Sequence, residues 1–251
     1  MSKARRNPFE AREVTSRRGG PVKAPLSRDA IVTEALALLT REGLEGMSLR
    51  KVAAALNTGP ASLYAYVENL QELNALVLDR ALGRVKTEAA PGRDWRRRLA
   101  AVLESYLRVL ARSPGLAPLA MSTLAAGPNA LRILETLLGL LEEGGVDRAT
   151  AAWAVDLLTL YVTAVAAEQS HRQGDPDFLG PIARVIGAVS AREHPRIHAA
   201  REDLLAGPGR VTWAFEVLLK GILQTPRRQT DGGASGARAR APRPRKPART
   251  R

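Results

Sequence analysis

Residues 48–67 constrain the fold of this chain more than any other segment, because their pattern predicts two short helices separated by a tight turn. In the first helix, apolar side chains recur at positions i, i+3, i+4 and i+7, which places them on one face. Ser48 is a suitable N-cap, and residues 57–59 then interrupt the helix, with Gly59 expected to provide the backbone freedom of the turn. Pro60 suits the first position of the following helix. The apolar face comprises Leu49, Val52, Ala53 and Leu56.

The second of these helices is expected to have an apolar back and a polar front. Leu63 and Val67 lie four residues apart and are expected to point inward. Tyr64 and Tyr66, two residues apart, cannot both face one small core, so at least one should be exposed. A helix of this profile has the shape that enters a DNA major groove, and an exposed tyrosine beside Ser62 is best explained by a phosphate contact. The alternative is a tyrosine that serves only packing or the general surface.

The flanking segments complete a small helical domain. Ser27 can cap a helix whose natural stop is Gly43. Asn69 and Glu72 are spaced as a variant of the capping box and open a further helix. Three helices and the start of a fourth therefore fall within residues 26–88, which predicts a compact three-helix domain.

Residues 26–85 resemble the N-terminal DNA-binding domain of the tetracycline-repressor (TetR) family of bacterial transcription regulators. The match is spread over a continuous window, which makes it far more specific than an isolated helix-turn-helix pattern. The matching residues are Ala35, Leu38, Gly43, Leu44, Ser48, Leu49, Arg50, Val52, Ala53, Leu56, Ser62, Leu63, Tyr64, Tyr66, Val67, Asn69 and Leu73.

The resemblance implies that Arg50 and Tyr64 contact the DNA backbone or bases. Lys51 is either a further contact or a solvated charge. Leu70 stands where family members usually carry a lysine that meets a phosphate, which leaves the amides at the start of that helix for this contact. The candidate DNA-binding residues are Ser48, Arg50, Lys51, Pro60, Ala61, Ser62, Tyr64 and Tyr66.

Positive charge is concentrated at the two ends of the chain. The net charge is +13, with 38 Lys/Arg against 25 Asp/Glu. Residues 1–26 carry seven Lys/Arg against two Glu, and residues 226–251 carry nine against one Asp, so the residues between them are formally neutral. Both ends are rich in Arg, Pro and Gly, which predicts disordered arms over residues 1–25 and 226–251. The C-terminal arm is either a nonspecific polyanion-binding segment or a solubilising tail.

The residue types exclude several other classes of protein. The chain has no cysteine, which excludes disulfides, thiolate zinc sites and a cysteine nucleophile. No Ser/His/Asp set or glycine-rich phosphate loop appears, so neither an enzyme nor a cofactor is expected. His194 and His198 are four apart, but Pro195 between them argues against a helical metal pair. Residues 150–167 are long and apolar, yet Asp156 near their middle favours a central buried helix over a membrane span.

The second half of the chain is predicted to be entirely helical, because no long run alternates with period two. Its order of helices, and segments 114–119 and 127–135 in particular, resemble the ligand-binding and dimerising half of regulators close to the tetracycline repressor. The chain is therefore expected to be all-α, with a helix-turn-helix domain at residues 26–88 and a helical ligand-binding and dimerisation domain at residues 89–225. The predicted helices span residues 95–110, 116–125, 131–141, 148–171, 182–191 and 211–223.

The resemblance implies a homodimer joined through the long helix after Asp147 and the last helix near Trp213. Both helices are apolar on more than one face, and such helices need cover on all sides. Burial inside a single subunit is the alternative to burial between two.

The same half is expected to hold a small-molecule cavity between helices. Asp156, Thr159 and Thr163 lie at i, i+3 and i+7 and so share one face of an apolar helix. A buried carboxylate needs a partner, which is either a donor or cation on the ligand or an arginine of another helix. Family members that bind magnesium–tetracycline use a histidine in the short helix corresponding to residues 116–125, which contain none, so no metal is expected. His171 lies at a helix end, where a solvent-facing cap is the alternative. The candidate lining residues are Tyr106, Met121, Trp153, Asp156, Thr159, Thr163, Gln169, His171 and Phe178.

These expectations describe a DNA-binding transcription regulator, a repressor that a small-molecule effector releases from a palindromic operator. Two reading helices of a dimer would meet half-sites about one helical turn apart on double-stranded DNA. A cytoplasmic, nucleoid-associated bacterial protein without a membrane partner is implied. The alternative is an architectural or constitutive DNA-binding protein without an inducer, and ligand-dependent release from DNA separates the two.

Overall fold

A computed structural model describes residues 7–9, 26–88, 94–175, 177–205 and 209–227, and all regular structure within these ranges is helical. The all-α prediction is thereby confirmed. The predicted disordered arms lie almost entirely outside the described residues. The helices of the described part are α1 (Arg28–Gly46), α2 (Leu49–Ala55), α3 (Pro60–Leu63), α4 (Leu70–Leu82), α5 (Trp95–Ala111), α6 (Leu116–Ser122), α7 (Pro128–Glu143), α8 (Arg148–Gly174), α9 (Gly180–Gly187), α10 (Pro195–Ala199), α11 (Arg201–Leu204) and α12 (Arg210–Gln224).

Four helices begin at the capping residues that the sequence predicts. In each, a side-chain oxygen accepts a hydrogen bond from a backbone amide two or three residues further on, at 2.8 to 3.3 Å. These bonds satisfy amides that have no partner inside the helix. The capping residues are Ser27 for α1, Ser48 for α2, Asn69 for α4 and Asp147 for α8.

Two turn positions refine the predicted ends of the first helices. Gly43 has φ of 73°, so the regular part of α1 stops there as predicted, although one further turn follows to Gly46. In the turn between α2 and α3, the left-handed residue is Asn57, with φ of 50°, whereas Gly59 has φ of −82°. The prediction for Gly59 was therefore wrong. Asparagine tolerates this conformation because its short polar side chain can bond locally.

Helices α1 to α4, here called the head, enclose a core that continues into the helices of the second half, here called the body. Leu63 and Val67 are fully buried in this core, and so are Leu73 and Val77 on α4. α4 also packs against α5, α6 and α7, and α1 packs against α6. The head is thus attached to the body chiefly through α4.

The central helix of the body is α8, which packs against α5, α6, α7 and α12. Its length and composition would allow it to cross a membrane, but half of its most apolar 18-residue stretch is buried among these helices. It is therefore placed as a core helix, in agreement with the prediction. The remaining apolar residues of α8 face outward.

The segment after α8 differs most from the sequence prediction. α9 ends at Gly187, earlier than expected, and α10 and α11 were not predicted; before α8, α6 also ends early, at Ser122. Pro195 begins α10, because a proline in the first turn of a helix removes no hydrogen bond. His194 precedes that helix, and His198 Nδ1 lies 3.1 Å from the carbonyl oxygen of Val189. No cluster of three His, Asp or Glu that could hold a metal occurs in the described part of the chain.

Candidate nucleic-acid interface and ligand cavity

The short helix α3 presents a defined front to solvent. Leu63 and Val67 are fully buried and anchor it, while the Tyr64 ring is 53% exposed. Tyr66 is half-buried and packs against the core, so one of the two tyrosines is exposed, as expected. Arg50 projects from α2 as an exposed residue beside this front. We call the exposed set the reading surface; it comprises Arg50, Pro60, Ala61, Ser62 and Tyr64.

Two other candidate DNA contacts are already engaged within the head. The Ser48 hydroxyl accepts the amide of Lys51, which leaves its own hydrogen free to donate. The Lys51 Nζ lies 2.8 Å from Glu42 Oε2, and this hydrogen bond lowers the pKa of the Glu42 carboxyl. The Glu42 carboxylate neutralises part of the Lys51 charge, which makes Lys51 a weaker candidate for a phosphate contact than Arg50.

The head does not carry the positive charge of the chain. Residues 26–88 contain seven Lys/Arg and eight Asp/Glu, a net charge of −1. At the start of α4, Leu70 is 37% exposed, and the Glu72 carboxylate accepts the Glu68 amide at 2.5 Å. Glu72 also forms an ion pair with Arg28. The net charge of the head therefore gives it little nonspecific attraction to a polyanion.

A cavity of about 430 Å³ lies between α4, α5, α6, α7 and α8. This volume is in the range of small-molecule sites. Five of the nine candidate ligand residues line it, namely Tyr106, Met121, Asp156, Thr159 and Thr163. The lining residues that the sequence did not single out are Leu78, Leu82, Ala120, Ser122, Thr123, Leu124, Ala125, Ala130, Ile133, Leu134 and Leu160.

A row of hydroxyl groups runs along one side of this cavity. The Tyr106 hydroxyl lies 3.3 Å from Thr163 Oγ1, and the Thr163 hydroxyl donates to the carbonyl of Thr159 at 2.8 Å. Burial raises the pKa of Tyr106, an effect that the Thr163 hydrogen bond partly offsets. The phenol is therefore neutral at physiological pH. Because Thr163 gives its hydrogen to Thr159, the phenol donates to Thr163 Oγ1 and can accept a hydrogen bond from a ligand.

Asp156 stands at the mouth of the cavity and is exposed. The prediction that it is buried was wrong. Of the two partners considered for it, the arginine of another helix is not observed, since no arginine or lysine lies within 4.0 Å of it in the described part. No Lys, Arg or His stands among the described residues that line the cavity. Its carboxylate is therefore the only formal charge on that lining.

The other four candidate ligand residues lie elsewhere. Trp153 is six residues before Thr159, about 120° away around α8, and lies under the Arg227 guanidinium at 4.0 Å from the ring centroid. His171 Nδ1 is 2.7 Å from the Ala167 carbonyl oxygen, and its ring stacks on Phe178 with centroids 5.6 Å apart. Gln169 is half-buried and does not line the cavity.

A second concave surface runs between α8 and α12, with a volume of about 640 Å³ and mainly apolar walls. Large apolar side chains are exposed on both helices, including Trp153 at 60% and Trp213 at 65%. Leu157 and Val217 are 43% and 46% exposed on the same two helices. Burial of both helices inside a single subunit was the alternative to a dimer. The described part of the chain leaves both helices partly uncovered, which does not fit that alternative.

Comparison with known proteins places these features in context. A family profile described as "Tetracyclin repressor-like, C-terminal domain" matches residues 88–224. An HTH-type transcriptional regulator of Saccharopolyspora erythraea is 34% identical over 187 residues, which cover 74% of this chain and 75% of that protein. The solved structure of the transcription regulator SCO7704 from Streptomyces coelicolor is 42% identical, covers 82% of this chain and 98% of that chain, and has a TM-score of 0.68.

A further solved structure contains a small molecule. The TetR family protein ActR of Streptomyces coelicolor in complex with actinorhodin is 34% identical, covers 80% of this chain and 98% of that chain, and has a TM-score of 0.73. Two of these relatives are named as regulators of transcription, the class of protein that the sequence predicts.

Proposed function

The chain belongs to the tetracycline-repressor (TetR) family of ligand-responsive DNA-binding transcriptional regulators, and from that premise we propose that it is a cytoplasmic repressor that leaves its operator when a small molecule fills the cavity. One observation carries the proposal. α4 is part of the core of the head and is also a wall of the cavity, through Leu78 and Leu82. A molecule in the cavity therefore contacts a helix that packs against α1, and α1 in turn packs against α2, one of the two helices that carry the reading surface.

The reading surface supports recognition of DNA through few contacts. Arg50 can donate to phosphate or to guanine, while the Ser62 and Tyr64 hydroxyls can each donate to a phosphate oxygen. Pro60 and Ala61 are small enough to let the backbone of α3 approach the edge of a base. Because α3 has only four residues, its orientation depends on the burial of Leu63 beneath it.

The exposed apolar faces of α8 and α12 support a dimer. The exposed faces of α8 and α12 would be covered by the same faces of a second copy, in an isologous interface. Two heads related by a two-fold axis would then read two half-sites, so the operator should be a near-palindrome with centres about one helical turn apart. Sedimentation at micromolar concentration should give about twice the chain mass of 27.0 kDa. A monomer would remove the basis for the palindrome.

The cavity supports an effector with a largely apolar body and a polar edge. Its apolar walls can bury such a body, and the hydroxyl oxygens of Tyr106, Thr159 and Thr163, whose hydrogens bond within the protein, can accept hydrogen bonds from donors on the polar edge. The effector would act by binding better to a conformation in which the two heads are wrongly spaced for the operator. By linkage, it then weakens operator binding by the same factor as the operator weakens effector binding.

An architectural DNA-binding protein is the second candidate. It is favoured by the location of the net charge, since residues 1–26 and 226–251 account for the whole of the +13. Such a protein would bind all sequences with similar affinity and would not be released by a small molecule. A repressor would keep a sequence preference after its arms are removed.

The two candidates are separated by binding titrations on operator DNA and on scrambled DNA at two salt concentrations. The operator is first isolated by selection from a random-sequence pool with the full-length protein. The first variant is shortened to residues 25–225 and should bind all DNA more weakly at low salt while retaining its preference. Its affinity should also depend less on salt. The slope of log affinity against log salt concentration should become shallower by roughly 0.9 for each phosphate that the arms no longer neutralise.

The second variant replaces Arg50 and Tyr64 by Ala in the full-length chain. Its preference for operator should fall by about 1–3 kcal/mol for each specific contact that is lost, while its binding to scrambled DNA persists. Both side chains are exposed, so the melting temperature should stay near that of the wild type. If the shortened protein loses its preference, or the double variant keeps it, α3 is not the reading element.

A further inference from the structure

A buried carboxylate joins the head to the body. Asp79 lies near the end of α4 and is only 5% exposed. Its Oδ1 accepts the backbone amides of Asn129 and Ala130, each at 3.0 Å, and its Oδ2 accepts the side-chain amide of Asn129 at 2.9 Å. These donors form the first turn of α7, whose own N-cap residue, Gly127, has no side chain. Asp79 therefore caps α7 from a helix fifty residues away.

This joint adjoins the cavity on both sides. Leu78 precedes Asp79 on α4 and lines the cavity, while Ala130 follows Asn129 on α7 and lines it too. Any occupant that changes the separation of these two walls acts directly on the three hydrogen bonds between them. Hydrogen bonds to a carboxylate are strong, but their strength decreases steeply as the distance grows or the angle departs from linear. A small displacement of either wall is therefore enough to break the joint.

The joint is tightly packed toward Gly127, although Asp79 and Asn129 also line an adjoining pocket of about 300 Å³. A Cβ atom on Gly127 would lie 2.3 Å from Asp79 Cγ and 2.5 Å from the ring of Phe9. Phe9 is half-buried and covers the joint from the N-terminal side, where the Arg28 guanidinium donates to the carbonyl of Pro8. Because Asp79 is only 5% exposed, water can replace a lost hydrogen-bond partner only poorly, which makes the loss of one partner costly.

We propose that Asp79 is the positioning residue that sets the orientation of the head on the body, and that occupancy of the cavity is transmitted to the reading surface through its bonds to α7. The transmission step rests on the proposed function, whereas the joint itself does not. Two substitutions open the joint by different routes. Asp79→Leu removes all three acceptor contacts while filling the space, and Gly127→Ala displaces the carboxylate sterically. Asp29→Asn is the matched control, because Asp29 pairs with Arg80 on α4 at 2.5 Å but within the head.

The first readout compares unfolding of the head and the body. All three tryptophans, Trp95, Trp153 and Trp213, lie in the body, and the chain has no cysteine, so a dye on Glu45→Cys reports the head alone. Both reporters should melt together in the wild type and in Asp29→Asn. In Asp79→Leu and Gly127→Ala the head should melt several degrees before the body. A purely structural cap would lower both melting temperatures together, and that result would overturn the proposal.

The second readout measures the spacing of the two heads by electron-spin dipolar coupling between nitroxides on Glu45→Cys. The wild type and Asp29→Asn should give one narrow distance distribution, and Gly127→Ala should give a broad or shifted one. An unchanged distribution in Gly127→Ala would refute the positioning role. Absence of any dipolar coupling in the wild type would instead refute the dimer of the proposed function, and the melting comparison would still decide the joint.

Discussion

Gly115 provides a test of how closely the body approaches the head. It precedes α6 and faces α1, where an added Cβ would lie 2.5 Å from Leu39 Cδ1 and 2.9 Å from the Leu39 carbonyl oxygen. Leu39 is fully buried, so its side chain has no free space into which it can move. The backbone of Gly115, with φ of −93° and ψ of −22°, is open to any residue. Gly115→Ala therefore tests the packing and not the backbone conformation.

Two effects of opposite sign decide the result. Replacing glycine by alanine at a permitted conformation stabilises a protein by about 0.4–1 kcal/mol through the unfolded state. Overpacking a closed contact costs about 1–3 kcal/mol. The contacts below 3 Å indicate that overpacking prevails, so Gly115→Ala should lower the free energy of unfolding by about 1–2 kcal/mol. For a chain of this size, that corresponds to a fall in melting temperature of about 2–8 °C.

The matched control is Gly139→Ala on α7, where nothing lies within 4 Å of the added Cβ. It should raise the free energy of unfolding by about 0.5–1 kcal/mol, because glycine inside a helix is unfavourable. Urea unfolding followed by circular dichroism, at one protein concentration, measures both variants. In a Leu39→Ala background the penalty of Gly115→Ala should shrink by about 1 kcal/mol, since the two side chains are in contact. If Gly115→Ala stabilises the protein as Gly139→Ala does, the close approach of α6 to α1 is refuted.

Three further predictions concern single side chains. Burial raises the pKa of Tyr106, so the neutral phenol stabilises the fold below about pH 10. This stability is lost as the pH rises through the raised pKa. The free energy of unfolding of Tyr106→Phe should therefore fall less between about pH 8 and pH 11 than that of the wild type. Hydrogen bonds from Thr150 lower the pKa of Asp147, so its capping contribution to stability is present above about pH 4 and is lost at lower pH. The melting temperature of Asp147→Ala should therefore lie below that of the wild type at about pH 7, and the two melting temperatures should converge near about pH 2. Asp156→Asn should change the free energy of unfolding by less than about 0.5 kcal/mol in urea titrations, and a loss of several kcal/mol would mean that the carboxylate is structural.

The parts of the fold that were predictable depend on contacts between neighbours in the chain. Ser27, Ser48, Asn69 and Asp147 each bond an amide no more than three residues away, so their residue types and positions contain the whole signal. The inward direction of Leu63 follows in the same way from the helical repeat. Short helices are harder, because few residues define their ends. α10 was missed because Pro195 was taken as an obstacle and not as a first-turn residue.

The composition of the cavity was predictable only in part, because it depends on how α8 is rotated in the assembled body. α8 is apolar around most of its circumference, so the sequence does not state which face turns inward. The Thr159 and Thr163 face lines the cavity, whereas Trp153 faces α12. The walls from α4 and α7 were missed for a related reason, since Leu78 and Ile133 occupy ordinary core positions of their own helices. Nothing local distinguishes an apolar residue beside a cavity from one inside a core.

The net positive charge of the chain lies at its two ends and not on the reading surface, and this affects how an effector could release the protein from its operator. The head has a net charge of −1, so in the proposed repressor its binding to the operator would depend on a few directed contacts from residues such as Arg50 and Tyr64. Directed contacts depend on the spacing and tilt of the two heads, whereas the attraction of a positive net charge to phosphates does not. A modest rotation at α4 can therefore abolish operator preference while leaving nonspecific attraction intact. On this division, an effector need overcome only the directed contacts, and a released dimer stays near DNA, ready to rebind when the cavity empties.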